Sequence, residues 1–476
     1  MSFVFYDTET TGLKPGFDQI VQFAAIRTDA DLVELDRFEI RCRLQPHVIP
    51  HPSALRANRI SIARLTEASQ PSHYEMVCAI RRRLAAWGPG IFIGYNSIRF
   101  DEEMLRHAFF QSLFPAYLTS APGNGRTDAM NLLLAACAEP ETCLTLPIGP
   151  TGRTTFRLAA VAEANGLTLG PAHDALVDAA TTLELCRRIR TGSPEVWHRF
   201  IRFSNKAVVR DFVEAEEMFF LTRFFGGEAN HSLVARLGSS AGDANGHLCW
   251  DLAEDPALLN DAPADALTEA VLRKGGPVKR LRTNAAPALC ASWEAPDAWF
   301  GIDAVTAEGR AAWLRENPGF CGRAMAAYTD RWAEAPPAVH PEQQLYNGVF
   351  PGPSDEALMV DFHEEGKRRR VEIVERLEDP RVKVFGRRVI YCEHRSALNE
   401  TERREADSAL AESLVDERGA GLTLPQALFL VEEALAVGGE DPDGLLVEYQ
   451  VWLKARLART VAFLGRPPVT SVAPAV

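Results

Sequence analysis

Phe3-Val4-Phe5-Tyr6-Asp7-Thr8-Glu9-Thr10-Thr11-Gly12-Leu13 is the stretch that decides the fold. Its first half is a compact apolar and aromatic run, which predicts a buried strand over residues 2–6. Two carboxylates, Asp7 and Glu9, follow directly, and the two-residue period of a strand projects both from one face at the strand end. Bare carboxylates held that close repel each other, and a bridging divalent cation removes the penalty. A hard cation with oxygen ligands is the first chemical expectation.

Outward from this strand, further strands are expected at 20–27 and 38–44, then a helix at 74–87 and a short buried strand at 91–94. Helices follow near 101–110, 129–138, 158–165 and 175–190. Strands first, then helices with one more strand among them, predict an α/β domain over 1–191, a mixed sheet covered by helices. The Pro/Gly/Thr-rich stretch 145–155 reads as a loop inside it. From 192 to 342, short runs at 218–225, 231–237 and 247–252 alternate with Gly, Asn and Asp turns, which predicts a small β-rich domain with helices inserted near its end. Both phenylalanine doublets there, Phe219-Phe220 and Phe224-Phe225, read as its core. Residues 343–464 carry long charged amphipathic patterns, as at 424–436 and 445–463, and are expected to be helical. The Pro/Val-rich tail, 465–476, is expected to be disordered.

At 476 residues the chain is too long for one ordinary core. A hydrophobic fraction of 46% and a charged fraction of 24% are those of a globular protein. No apolar run approaches the roughly 18 residues of a membrane span. No basic region followed by an apolar stretch opens the chain, so no secretory signal is expected. Nine scattered cysteines without a CxxC pair argue against a zinc ribbon or disulfide framework and for a reducing cytoplasm. The net charge of −13 argues against a nucleic-acid partner only if basic residues fail to cluster. They do cluster: Arg273-Lys274 through Lys279-Arg280-Leu281-Arg282 holds five cations and no acid, and Lys367-Arg368-Arg369-Arg370 is contiguous.

A third acid, Asp101, follows the strand at 91–94 through Gly94-Tyr95-Asn96, near a helix start. A fourth, Asp178, lies on the helix opening at Ala175, and His173 precedes it by five residues. Singly these are a solvated turn, an N-cap and a surface histidine. Their joint order on these elements is much harder to reach by chance.

Asp7-Thr8-Glu9-Thr10-Thr11-Gly12, Gly94-Tyr95-Asn96 with Asp101, and His173-x₄-Asp178 together resemble the DEDDh exonuclease superfamily. The resemblance implies a ribonuclease-H-like fold and two bound Mg²⁺ ions, with Mn²⁺ as their substitute. It places Asp7, Glu9 and Asp178 on one ion and Asp7 and Asp101 on the other, with His173 as general base. Gly94-Tyr95-Asn96-Ser97-Ile98-Arg99-Phe100-Asp101, Phe156-Arg157-Leu158 and Gln344-Leu345-Tyr346-Asn347-Gly348-Val349-Phe350 are similar to a DNA-degrading branch of that family. In that branch an SH3-like domain and a helical domain follow the nuclease. Thr127-Asp128 departs from the Trp-Asp pair expected there.

The implied activity is 3′→5′ hydrolysis of single-stranded DNA to 5′-mononucleotides, in DNA repair and recombination. The substrate-binding set is Glu9, Thr10, Gly12, Leu13, Tyr95, Asn96 and Arg157. Candidates for a basic DNA channel are Lys206, Lys279, Arg280, Arg368 and Arg388. The implied partners are single-stranded DNA and the acidic C-terminal tail of single-stranded-DNA-binding protein, with no membrane and a monomeric chain. A DEDDh exoribonuclease is the alternative, against which the length beyond residue 191 counts. A catalytically silent DNA-binding adaptor is the alternative of another class, against which the intact acids and histidine count.

Overall fold

The computed structural model describes residues 2–139, 142–167, 170, 173–225, 228–329, 338–347, 349–416, 419, 421–437, 441, 443–467 and 472–473. The first unit contains β1 (Phe3–Thr10), β2 (Ile20–Thr28), β3 (Glu34–Arg41), α1 (Pro52–Asn58), α2 (Ile62–Leu65), α3 (His73–Trp87), β4 (Ile91–Gly94) and α4 (Asp101–Gln111). It continues with β5 (Gly125–Asp128), α5 (Ala129–Cys137), α6 (Leu158–Ala164), α7 (Ala175–Gly192) and α8 (Pro194–Arg202). Its sheet runs β3-β2-β1-β4-β5, with β1 antiparallel to β2 and parallel to β4, and β4 parallel to β5. This is the mixed sheet covered by helices that the sequence predicts.

The alternation along β1 divides the helices between the two faces. Phe3 and Phe5 pack with Leu132, Leu133, Leu183 and Ile189 of α5 and α7, whereas Val4 and Tyr6 pack with Met76, Ile80, Met104 and Leu105 of α3 and α4. Burying each such side chain contributes about 1.5–3 kcal/mol, so the face each strand residue takes is strongly fixed. Local signals agree with the packing: Ser72 and Glu75 form a capping box at α3, and Asp174 caps α7.

Helices α1 and α2 are not anticipated by the sequence reading, β1 runs on to Thr10 rather than ending at residue 6, and three further elements differ from expectation. The third strand, expected at 38–44, runs Glu34–Arg41. It is the sheet edge, and its alternating Glu34, Asp36, Arg37, Glu39 and Arg41 carry none of the apolar signal that marks a buried strand. Strand β5 was not foreseen, because its sequence Gly-Arg-Thr-Asp is polar although wholly buried. Helix α8 lies past the boundary expected at residue 191, yet its Val196, Trp197 and Phe200 join the core of the first unit, with Trp197 edge-on to Phe3 at 5.4 Å.

The second unit holds α9 (Lys206–Ala215), β6 (Phe219–Phe225), β7 (Glu228–Ser239), β8 (Gly246–Asp251), α10 (Ala264–Leu272), β9 (Val278–Arg282), β10 (Ala288–Ala291), α11 (Ala304–Glu316) and α12 (Pro318–Thr329). Its five strands form one antiparallel sheet in the order β10-β6-β7-β8-β9.

The C-terminal region is helical, with α13 (Pro353–Glu364), α14 (Lys367–Arg376), α15 (Pro380–Glu393), α16 (Glu400–Ser413), α17 (Leu424–Ala436) and α18 (Leu445–Phe463). Helices α13–α15 share a core with Phe110, Leu113 and Ala116, and α17–α18 share one with Val21, Ile49, Leu55 and Ile62. Of the tail expected to be disordered, 465–467 and 472–473 are described, and Val472 N donates to Pro425 O at 3.2 Å; the remainder lies outside the described residues. No helix among the described residues is long and apolar enough to cross a membrane.

Candidate active site

The two faces of β1 build the site. Asp7 and Glu9 continue the Phe3–Phe5 face, under α7, and Asp178 stands in the first turn of that helix. Donor atoms of Glu9, His173 and Asp178 lie within 4.8 Å of one another, a spacing that can hold a metal ion. Thr8 points to the other face, where its Oγ1 donates to Asp101 Oδ1 at 2.6 Å and its N–H donates to the same oxygen at 3.0 Å. Asp101 opens α4, and that turn is anchored by the next residue. Buried Glu102 accepts from Tyr6 Oη at 2.8 Å, Thr119 Oγ1 at 2.7 Å and Arg126 Nη1 at 2.9 Å. Burial alone would raise the Glu102 pKa, but Arg126 and Arg106 outweigh it and hold the carboxyl below its ordinary value.

The four acids behave oppositely: Arg41 near Glu9 and His173 near Asp178 pull downward, but burial and mutual repulsion outweigh them. Burial, then the charges of Asp101, Glu9 and Asp178, push Asp7 well above the ordinary carboxylate range. Burial and the neighbouring Asp178 and Asp101 raise Glu9 to about 8. Burial raises Asp101 to about 7 against the Thr8 hydrogen bond, and raises Asp178 to about 6 against the pull of His173. A nest of mutually repelling carboxylates, Glu9 and Asp101 buried and Asp7 and Asp178 half-buried, with one imidazole at its rim, is the donor set of a divalent-cation site. His173 itself is exposed and holds a left-handed backbone, φ 61°.

Among the expected substrate contacts, Thr10, Gly12 and Leu13 line the same cleft as Glu9, a space of about 740 Å³ that extends to His51, Phe100 and Arg388. The need for glycine at position 12 has a local cause: a Cβ there would lie 2.5 Å from Asp18 Oδ2. Asp18 is itself fixed by Thr11 Oγ1 at 2.9 Å and Lys14 N at 2.8 Å. Asn96 lines a second cleft of about 670 Å³ with Arg99, Arg126, Phe156, Phe224 and Arg282. Tyr95 is a prop: its ring packs on the core and its hydroxyl donates to Phe156 O at 2.6 Å. Arg157 stands exposed just before α6. Asp128, at the departure from the expected Trp-Asp pair, accepts from Asn96 N and Met130 N, both at 2.9 Å, and so fixes the turn that carries Asn96.

The channel candidates separate by burial. Lys206 and Arg368 are exposed. Arg388 pairs with Glu342, and Arg280 with Asp243 at 2.7 Å. Lys279 is no channel residue: its ammonium is buried, donating to Gly275 O at 3.0 Å and Gly276 O at 2.7 Å, with Asp251 at 3.4 Å. A run of basic residues on a strand sends alternate side chains inward, which the count of charges did not register.

The second phenylalanine doublet also differs from expectation. Phe219 and Phe220 are core, but Phe225 is 62% exposed. With Phe224, Arg223, Arg282 and Arg99 it lines a groove of about 1240 Å³ continuous with the Asn96 cleft. Thr8 and Asp174 are not singled out by the sequence reading, Arg99 and Arg282 enter it only within a motif and a basic run, and the Phe224-Phe225 pair is read there as core. Asp174 carries the signal of an Asp at a helix start, and Arg282 that of the basic run.

Residues 4–186 match the RNase_T family, described as an exonuclease, which is the family class the three motifs predict. The chain is 28% identical over 383 residues to exodeoxyribonuclease I of Escherichia coli K12, covering 76% of this chain and 80% of that one. In fold it is similar to E. coli exonuclease I solved with a dA16 oligonucleotide, with TM-score 0.81, 23% identity and coverage of 97% and 99%. It is likewise similar to a structure described as SSB/exonuclease I with the inhibitor CFAM, with TM-score 0.78, 23% identity and coverage of 95% and 99%.

Proposed function

We propose that this relative of bacterial exodeoxyribonuclease I is a 3′→5′ exonuclease that releases 5′-mononucleotides from single-stranded DNA. The observation that carries the reading is the convergence of Glu9, His173 and Asp178 within 4.8 Å, beside Asp7 and the Thr8-held Asp101. Asp7, Glu9, Asp101 and Asp178 are the residues to hold two Mg²⁺ ions, or Mn²⁺ in their place. Bound there, the ions supply positive charge against the phosphate and favour hydroxide formation.

The protein's own groups do the rest. His173, at the solvent edge of the acids, takes a proton from the attacking water. The water oxygen bonds to phosphorus, the P–O3′ bond to the preceding nucleotide breaks, that 3′-oxygen takes up a proton from solvent as the new 3′-hydroxyl end, and the phosphate stays on the 5′ side of the released nucleotide. Thr10, Gly12 and Leu13 form the wall against the terminal nucleotide, and Leu13, 81% exposed, is placed to wedge a base. Upstream DNA follows Asn96 and Arg99 to Arg282, Arg223, Phe224 and Phe225, where cations track phosphates and rings stack on bases.

On this reading the first unit is a ribonuclease-H-like nuclease domain (1–191, with α8 joining it through its core contacts). The second sheet belongs to an SH3-like domain (192–342), and 343–464 is a helical domain that closes the cleft. The setting is cytoplasmic DNA repair and recombination, by a monomer whose partners are single-stranded DNA and the acidic C-terminal tail of single-stranded-DNA-binding protein. The SSB/exonuclease I structure supports that partner by likeness of fold.

The test is product identity. With Mg²⁺ and single-stranded DNA, mass spectrometry is expected to find 5′-mononucleotides, and Asp7→Ala and His173→Ala to abolish them. Metal-independent release, or products carrying 3′-phosphates, would overturn the reading.

A further inference from the structure

Glu9, Gln22 and Arg41 stand opposite one another on β1, β2 and β3, through the pairs Glu9↔Gln22 and Gln22↔Arg41. Directly opposed residues share a face of the sheet, so these three form a row that starts at a site acid and ends at the sheet edge. Asp174, the residue after His173, comes down onto that row. Its Oδ2 accepts from Arg41 Nη2 at 2.7 Å and Gln22 Nε2 at 3.3 Å. Glu39 steadies both donors, accepting from Gln22 Nε2 at 3.0 Å and Arg41 Nε at 3.2 Å. The other oxygen, Oδ1, caps α7, accepting from Leu176 N at 3.1 Å and Val177 N at 3.4 Å.

We propose that Asp174 is a positioning residue, which with Arg41 and Gln22 clamps the first turn of α7 to the sheet and so sets His173 and Asp178 over Glu9. Capping needs one acceptor, which Ser or Asn supplies as well. The carboxylate is required because its second oxygen takes the guanidinium in a charge-assisted bond, and Arg41 and Asp174 are both half-buried, where solvent screens that bond less than at the surface. The clamp also accounts for His173, whose left-handed backbone a non-glycine residue keeps only where its surroundings impose it. The role in cleavage rests on the exonuclease reading above, but the geometric role does not.

The variants are Asp174→Ser, which keeps the cap and loses the clamp, Arg41→Ala, and the two combined. Arg190→Ala is the control; it removes the Arg190–Asp31 pair near the far end of α7. Mn²⁺ binding is titrated by electron paramagnetic resonance, and cleavage of single-stranded DNA is resolved into kcat and KM. Loss of an outer partner of a metal ligand costs roughly 10- to 100-fold in metal affinity or activity. Asp174→Ser and Arg41→Ala are each expected to weaken Mn²⁺ binding and lower kcat by that order, with KM for DNA within about twofold. The double variant is expected to be no worse than either single one, and Arg190→Ala to leave Mn²⁺ binding unchanged. Unchanged Mn²⁺ binding in Asp174→Ser, or an equal loss in Arg190→Ala, would overturn the clamp. A wild type that binds Mn²⁺ but leaves DNA intact would overturn the exonuclease reading, while the Mn²⁺ constants still decide the clamp.

Discussion

Thr8 Oγ1 and Thr8 N both donate to Asp101 Oδ1, at 2.6 and 3.0 Å. The residue between two site acids thus seats the third. Because side chains alternate along a strand, β1 presents Asp7 and Glu9 to the α7 face and Thr8 to the α4 face, and one three-residue stretch organises the site from both sides of the sheet.

Thr8→Val keeps the shape and β-propensity of the side chain but removes the hydroxyl. A hydrogen bond to a charged group contributes about 1.5–3 kcal/mol, and its loss leaves Asp101 held from β1 by the Thr8 N–H alone. Cleavage is expected to fall about tenfold or more, in line with that energy, with unchanged far-ultraviolet circular dichroism. Wild-type kcat in Thr8→Val would contradict the arrangement.

The titration of the acids gives a direction for stability against pH. Glu9 is raised to about 8, Asp101 to about 7 and Asp178 to about 6, so in this range the metal-free folded protein binds more protons than the unfolded chain. Stability from these groups is full below the unfolded carboxylate values near about 4 and is lost as pH rises through the folded values. Chelator-treated protein is expected to lose melting temperature between pH 5 and about 8.5 from this cause, and Mg²⁺ to restore it most at the alkaline end. Asp7→Asn is expected to flatten the loss. A melting temperature of metal-free protein that climbs over this range would contradict the prediction.

Gly12→Ala places a Cβ 2.5 Å from Asp18 Oδ2, an atom held by the Lys14 amide. The loop 11–14 must open, at a cost of about 1–3 kcal/mol. As the loop walls the cleft beside Glu9, KM for single-stranded DNA is expected to rise several-fold. An unchanged KM, measured at saturating Mg²⁺, would remove the loop from substrate binding.

Phe225→Ala and Arg282→Ala probe the groove. Base stacking contributes about 1–3 kcal/mol per base, so Phe225→Ala is expected to weaken DNA binding about 5- to 100-fold without loss of stability. Arg282→Ala is expected to reduce the slope of log affinity against log salt by about 0.7, the value for one single-strand phosphate contact. Lys279→Ala, which empties a buried and fully bonded position, is expected to lower melting temperature instead. Fluorescence anisotropy over a salt series separates the three.

What the sequence made legible, and what it did not, follows from where the signal lies. The site acids stand at the ends of strands and helices whose apolar patterning is strong, so Asp101 and Asp178 fall on the helices expected, Asp7 and Glu9 just past the expected strand but within the observed β1, and His173 just ahead of α7. Edge strand β3 and buried strand β5 lack that patterning, the first because one side meets solvent, the second because Arg126 and Asp128 are paid for by partners distant in sequence. Thr8 and Asp174 are ordinary residues whose importance is a tertiary contact. Lys279 and Phe225 show the converse: composition labels a cation as surface and a phenylalanine as core, but strand parity turns Lys279 inward and its place at the end of β6 leaves Phe225 exposed.

The most direct test of the central claim is digestion of one DNA strand labelled at its 5′ end and one labelled at its 3′ end, in Mg²⁺, beside duplex DNA, RNA and the Asp7→Ala variant. The account predicts immediate release of a labelled mononucleotide from the 3′ label and stepwise shortening of the 5′-labelled strand, with duplex, RNA and variant lanes intact. Mononucleotide release from the 5′ label, internal fragments, preferential loss of RNA, or tight binding without metal-dependent cleavage would contradict it.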